Sequence, residues 1–287
     1  MMHILVNGVQ LYFDVEGASL VPDGPTMREK PTMILLHGGP GGDHTIYKPG
    51  FSAFADIAQI IYLDHRGNGR SEHGPRELWT LAQWADDVRE FCEVLNIAKP
   101  IIFGASFGGM VALAYATRHP AHLSKLILVS SEAAGGMYEQ ERVDLFARLG
   151  GPEMGALAHR RLIEQQTDPA TLDAWVRLAF PLYTRNPIDP EVAQRWIRNP
   201  DVTAWFTREG GERHTFNLFP DLHKIQCPTL IMGGEDDPMV PIQCQADIAA
   251  ALPPHLVQFE RFADCGHGVF TDAPERSMAM IRDFIRV

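Results

Sequence analysis

Ile101-Ile102-Phe103-Gly104-Ala105-Ser106-Phe107-Gly108-Gly109-Met110-Val111-Ala112-Leu113-Ala114-Tyr115-Ala116 is the stretch from which the fold can be read. It opens on a short continuous apolar run, the pattern of a strand buried on both faces. Its second half is Ala-rich, ends before His119-Pro120, and predicts a helix over 107–118. Ser106 falls at the junction, with Gly104 and Gly108 two positions either side. A serine there sits in a strained turn that projects its hydroxyl above the sheet edge, while the glycines let strand and helix approach without Cβ clashes. The helix N-terminus adds free N–H groups and a positive dipole end. A serine merely lodged in a glycine-rich turn would leave the flanking strand and helix unexplained, so Ser106 reads as a nucleophile.

Outward from this stretch the same alternation repeats. Apolar runs recur at Met33–Leu36, Ile60–Leu63, Leu126–Val129 and Thr229–Met232, with a last strand over Leu256–Phe262. Between them lie helical patterns: Leu81, Trp84, Val88, Phe91 and Leu95 after a Thr80 cap, then 241–251 and 274–285. Buried strands alternating with helices predict an α/β protein, its mostly parallel sheet covered on both faces. Residues 3–16 read as a hairpin about Asn7-Gly8, and 17–31 as a surface loop. From Ser131 to Pro228 no convincing buried strand appears. Helix-like stretches there carry Trp175, Trp196 and Trp205 and are punctuated by Pro169, Pro181, Pro187, Pro190 and Pro200. A connection of that length is not structureless. The expected organisation is a core of 1–131 and 226–287, with a helical insertion at 132–225 over one end of the sheet.

Composition narrows the functions. The 287 residues carry 25 Lys+Arg against 36 Asp+Glu, a net charge of −11, which disfavours nucleic acid and anionic membranes as partners. No run approaches the roughly 20 apolar residues of a membrane helix. Met1–Gln10 reads as a strand and not as a signal peptide. Cys92, Cys227, Cys244 and Cys265 show no paired spacing, so neither a metal site nor a disulfide framework is expected and a cytoplasmic location fits.

A serine needs a base and a group to orient that base. Gly233-Gly234-Glu235-Asp236-Asp237-Pro238 follows a strand, where a carboxylate faces the same sheet edge as Ser106; Asp237 is preferred to Asp236. Of twelve histidines, His267 is the expected base, because Gly266 and Gly268 place it on a tight loop between the last strand and the final helix. His119 and His122 mark a helix end, while His44, His65 and His214 are expected to line the cleft. His37-Gly38-Gly39-Pro40-Gly41-Gly42 is too glycine-rich for packing alone; the N–H of Gly39, with that of Phe107, suits an oxyanion hole. The phosphate-loop spacings are absent. Asp64-His65-Arg66-Gly67-Asn68-Gly69-Arg70-Ser71 reads as structural support in which Asp64 and Arg66 brace neighbouring loops.

Over nearly its whole length the chain resembles α/β-hydrolase-fold enzymes, and HGGPGG with DHRGNGRS is similar to the prolyl iminopeptidase group and its relatives. The resemblance implies an eight-stranded sheet, a helical cap, and a cofactor-free serine hydrolase with Ser106 as nucleophile, Asp237 as orienting acid, His267 as base, and Gly39 and Phe107 at the oxyanion hole. The elbow departs from the iminopeptidase habit, reading G-A-S-F-G-G where G-G-S-W-G-S is usual there. An aminopeptidase also requires carboxylates for the substrate ammonium; Glu209 and Glu212 are the candidates, with Glu132 beside them. Three functions stay open: hydrolysis of a small ester, lactone or amide; proline-type aminopeptidase activity on short peptides; and non-hydrolytic ligand binding or lyase chemistry.

Overall fold

The computed structural model describes residues 2–286. Its strands are β1 (Met2–Val6), β2 (Val9–Glu16), β3 (Leu20–Asp23), β4 (Thr26–Glu29), β5 (Thr32–Leu36), β6 (Gln59–Leu63), β7 (Ile101–Ala105), β8 (Lys125–Val129), β9 (Thr229–Gly234) and β10 (Val257–Phe262). Eight form one sheet in the order β1-β2-β6-β5-β7-β8-β9-β10. The β1–β2 hairpin and its junction with β6 are antiparallel, and every pairing from β6 to β10 is parallel. Asn7 and Gly8 both take positive φ, 44° and 79°, which matches the right-handed twist of a tight hairpin. β3 and β4 make a separate exposed ribbon where the sequence predicted a loop. Backbone pairing across the Asp23-Gly24-Pro25-Thr26 turn defines it, and apolar patterning does not register such pairing.

The helices are α1 (Leu81–Val94), α2 (Phe107–Arg118), α3 (Glu139–Ala158), α4 (Pro169–Ala174), α5 (Pro190–Arg195), α6 (Pro200–Thr207), α7 (Glu212–Thr215), α8 (Ile242–Ala251), α9 (Val269–Asp272) and α10 (Pro274–Arg286). Thr80 caps α1 by accepting the Gln83 N–H at 3.2 Å. The central strands are apolar on both sides because both sides are covered. Ile34, Ile61, Ile102 and Leu128 pack with Trp84 and Phe91 of α1 and Leu113 of α2, while Leu35, Tyr62, Phe103 and Val129 pack with Ile281 and Ile285 of α10. Each such side chain, fully buried, stabilises the fold by about 1.5–3 kcal/mol.

Between β8 and β9 the described residues form α3 to α7 and short turns. Three of the prolines are helix starts. Asp168, Asn199 and Asp189 each accept a backbone N–H one or two residues beyond the proline-initiated first position of α4, α6 and α5. α3 bends at Gly151 (φ 83°) before Pro152.

The Asp64–Ser71 loop braces its surroundings as expected. Arg66, 1% exposed, donates to Asp87 at 2.7 and 2.8 Å and to the Asn7 carbonyl at 3.1 Å. Asp64 accepts from the His44 N–H and ring at 2.9 and 2.7 Å and from the Arg70 N–H at 2.9 Å. Arg66→Ala strands Asp87 as a buried unpaired charge and is expected to lower stability by about 3–5 kcal/mol in urea unfolding. Arg118→Ala, which breaks the exposed pair with Asp86, is expected to stay within about 1 kcal/mol.

Candidate active site

Ser106 occupies the turn from β7 to α2 with φ 54° and ψ −122°, a conformation rare for a residue with a Cβ. Neighbours hold it there. Its N–H donates to the Val129 carbonyl at 2.9 Å, and its carbonyl accepts from the Gly109 N–H and the Ser131 hydroxyl, both at 2.9 Å. A Cβ on Gly108 would lie 2.0 Å from the Leu36 carbonyl oxygen, and one on Gly104 2.3 Å from that of Gly108. No larger residue fits either place. The Phe107 ring, fully buried, packs edge-on against Trp84 and Phe206 at 4.9 and 5.3 Å, anchoring the first turn of α2.

The His37–Gly42 loop runs beside this turn. A Cβ on Gly38 would come within 3.5 Å of the Ser106 Cβ, and Gly38, Gly39 and Ser106 line one cavity. Gly41 donates its N–H to Asn68 Oδ1 and accepts the Asn199 N–H, both at 2.7 Å; Pro40 accepts the Thr203 hydroxyl at 2.7 Å. The loop is thus clasped between the Asp64–Ser71 loop and α6. Among the described residues, neither the Gly39 nor the Phe107 N–H donates to a protein acceptor.

Asp237 follows β9 and is completely buried. Its Oδ1 accepts the Met239 and Val240 N–H groups at 2.8 and 2.9 Å, and its Oδ2 accepts from His267 Nδ1 at 2.8 Å. This leaves Nε2 as the imidazole nitrogen free to accept a proton. Asp236 instead pairs with Arg148 at 2.6 Å. His267 and Ser106 line the same cavity, and no hydrogen bond joins their side chains among the described residues.

That cavity measures about 640 Å³ and is walled by apolar groups such as Ile46, Phe51, Val192, Met239, Phe270 and Met278. Tyr47, Phe180, Tyr183 and Trp196 complete its aromatic side. Burial pushes the Tyr183 phenol up to about 12, so it is neutral. The charged residues on the wall are otherwise engaged or peripheral: the Lys48 ammonium pairs with Asp14 and Glu16, and Asp189 and Glu275 are exposed.

Several expectations are corrected. Glu209 is exposed, and Glu212 turns its carboxylate to the Leu81 N–H at 2.8 Å, serving the start of α1. Glu132 is buried between Arg142 and Arg213 at 2.6 and 3.2 Å. None of the three lines the cavity. Nor do His44, His65 or His214: His44 is bound to Asp64, His65 packs beneath the elbow against His37 and Phe107, and His214 contacts the Thr207 carbonyl. Of the aromatic residues in the insertion, Phe180, Tyr183 and Trp196 face the cavity, whereas Trp175, Trp205 and Phe206 serve packing. Asp43, His44 and Asp64 lie close enough to hold a cation, but the Thr45 hydroxyl, Arg70 and His44 already engage the two carboxylates.

A strand-turn-helix serine, a strand-end carboxylate and a loop histidine on one parallel sheet define a class, and comparison agrees. The family model described as alpha/beta hydrolase fold matches residues 31–274: the chain belongs to that family and is a hydrolase. It is 30% identical over 279 residues to a proline iminopeptidase of Lactobacillus helveticus, covering 90% of each chain. It is 26% identical over 277 residues to a putative carbamate hydrolase of Caulobacter sp. strain K31, covering 96% and 95% of the two chains. A crystal structure of proline iminopeptidase from Mycobacterium smegmatis superposes with a TM-score of 0.80 at 22% identity, over 99% of this chain and 97% of that one. Among the described residues no helix is long and apolar enough to cross a membrane.

Burial holds the His65 imidazole well below its ordinary 6.5, with no partner at Nε2, and holds His37 down as well. The unfolded chain protonates these rings near their ordinary value and the folded chain resists. Stability is therefore full above about pH 6.5 and falls below it, by up to about 1.4 kcal/mol per pH unit per ring. His65→Phe is expected to flatten the decline in urea midpoint between about pH 7 and pH 5; an unchanged slope would refute a neutral buried ring.

Proposed function

We propose that this protein is a serine hydrolase that works by acyl transfer on a small ester, lactone or amide with an apolar acyl group. The observation that carries the reading is the 2.8 Å pair of His267 Nδ1 and Asp237 in the cavity that also exposes Ser106. His267 Nε2 takes the hydroxyl proton as Ser106 attacks the carbonyl. Asp237, held in place by two backbone N–H donors, fixes the tautomer and balances the imidazolium. The uncommitted N–H groups of Gly39 and Phe107 receive the oxyanion; one such donor contributes about 3–4 kcal/mol to the transition state. The leaving group takes its proton from His267, and water repeats the cycle on the acyl-enzyme. In this reading residues 132–225 are the cap, the partner is a small molecule, and the free, buried cysteines fit a reducing cytoplasm.

A second reading, proline-type aminopeptidase, is favoured by the 30% identity to the Lactobacillus helveticus protein. Against it stand Glu132, Glu209 and Glu212, all away from the cavity, and a wall that, among the described residues, offers no buried free carboxylate for an ammonium. Proline p-nitroanilide, short p-nitrophenyl esters and acyl lactones assayed side by side separate the two. Ester or lactone turnover without a free amine supports the first; cleavage confined to amine-bearing substrates supports the second.

Ser106→Ala is expected to lower kcat about 10⁶-fold and to abolish fluorophosphonate labelling while leaving the circular dichroism unchanged. Asp237→Asn is expected to cost about 10⁴-fold and Asp236→Asn almost nothing. A folded Ser106→Ala protein with full activity would overturn the mechanism. Activity is expected to survive EDTA.

A further inference from the structure

We infer that Asp272 is a positioning residue that couples His267 to the helical insertion, a deepening that rests on His267 being the general base. The histidine sits between Gly266 and Gly268, and two glycines supply little stiffness of their own. The restraint comes from outside the loop. Asp272, at the end of α9, accepts the Gly266 N–H on Oδ2 at 2.8 Å. The same carboxylate accepts the Asn186 N–H on Oδ1 at 2.8 Å and the Arg185 N–H on both oxygens at 2.9 and 3.1 Å. One carboxylate thus joins a backbone donor beside the histidine to two donors in the insertion.

The contact is reciprocal. The His267 N–H donates to the Tyr183 carbonyl at 2.6 Å, and the Asn186 side-chain amide donates to the Asp272 carbonyl at 3.3 Å. A Cβ on Gly266 would lie 2.3 Å from the Tyr183 carbonyl oxygen, so the two backbones touch. The Tyr183 ring also stands edge-on to the imidazole, with centroids 5.7 Å apart. Asp272 does not line the cavity; it acts through His267. Only a carboxylate serves all these donors, because an amide at this position turns an NH₂ group toward at least one N–H.

The test compares Asp272→Asn, Asp272→Glu and the control Asp264→Asn, which alters an exposed acid on the same loop. The readouts are kcat and KM on the best ester or lactone, the thermal midpoint, and the downfield imidazole N–H resonance of the resting enzyme, assigned by its loss in His267→Gln. Asp272→Asn is expected to lower kcat about 10- to 100-fold, the scale of a misplaced catalytic group, with KM within about twofold. Its imidazole resonance is expected to broaden or shift, Asp272→Glu to recover most of kcat, and Asp264→Asn to match the parent. Asn186→Pro deletes both the backbone N–H and the side-chain amide that Asn186 donates from the insertion side and is expected to move the resonance in the same direction, which keeps the test decisive if Asp272→Asn fails to fold. An unchanged resonance and kcat in folded Asp272→Asn, or an unchanged resonance in Asn186→Pro, overturns the proposal. The resonance needs no turnover, so an inactive parent protein would count against the proposed function and leave this inference to be judged by the spectra.

Discussion

Everything near the site depends on how closely β5, β7 and α2 approach at one turn. With a Cβ at Gly108 placed only 2.0 Å from the Leu36 carbonyl oxygen, the helix rests on the strand backbone itself. That proximity forces Ser106 into its positive φ and puts the first N–H groups of α2 at the carboxyl edge of the sheet. A strained residue of this kind costs of order 1–3 kcal/mol and persists only where its surroundings over-determine it. Here the Val129 carbonyl, the Ser131 hydroxyl and the buried Phe107 ring do so.

This is why the elbow is legible in the sequence. Steric demands between residues two to four positions apart must be met by local residue types, and Gly104, Ser106 and Gly108 write them out. That Asp237 and not Asp236 meets the His267 ring was legible for a related reason, since strand direction and a following proline limit which carboxylate points inward. What packing decides was not. Glu212 has the composition of a ligand-binding acid, yet its position in the first turn of α7 carries it to the Leu81 N–H. His44 and His65 belong to polar loops, and those loops fold inward under the sheet edge. Nothing local separates Trp196, which faces the cavity, from Trp205, which does not. Nor does any local pattern reveal that the Asp272 carboxylate reaches Arg185 and Asn186, far away in sequence.

The insertion grips the site at two places. At one, Asn199 and Thr203 hold the Gly41 and Pro40 carbonyls of the glycine loop; at the other, Tyr183 and Asn186 meet the histidine loop. The proposed oxyanion donor and the proposed base therefore share a common support that is separate from the strand bearing the nucleophile.

The cavity wall has a division of origin. The groups that would do the chemistry come from turns and loops that follow strands of the sheet, whereas Phe180, Ile188, Val192 and Trp196 all come from one short contiguous span of the insertion. Exchanging those four side chains, with the backbone of residues 183–186 that meets the histidine loop kept, would redraw the shape a ligand must have and leave His267 its support. Ligand preference in this architecture can therefore drift through a few side chains of the insertion, independently of the hydrogen bonds by which the same segment holds the histidine loop.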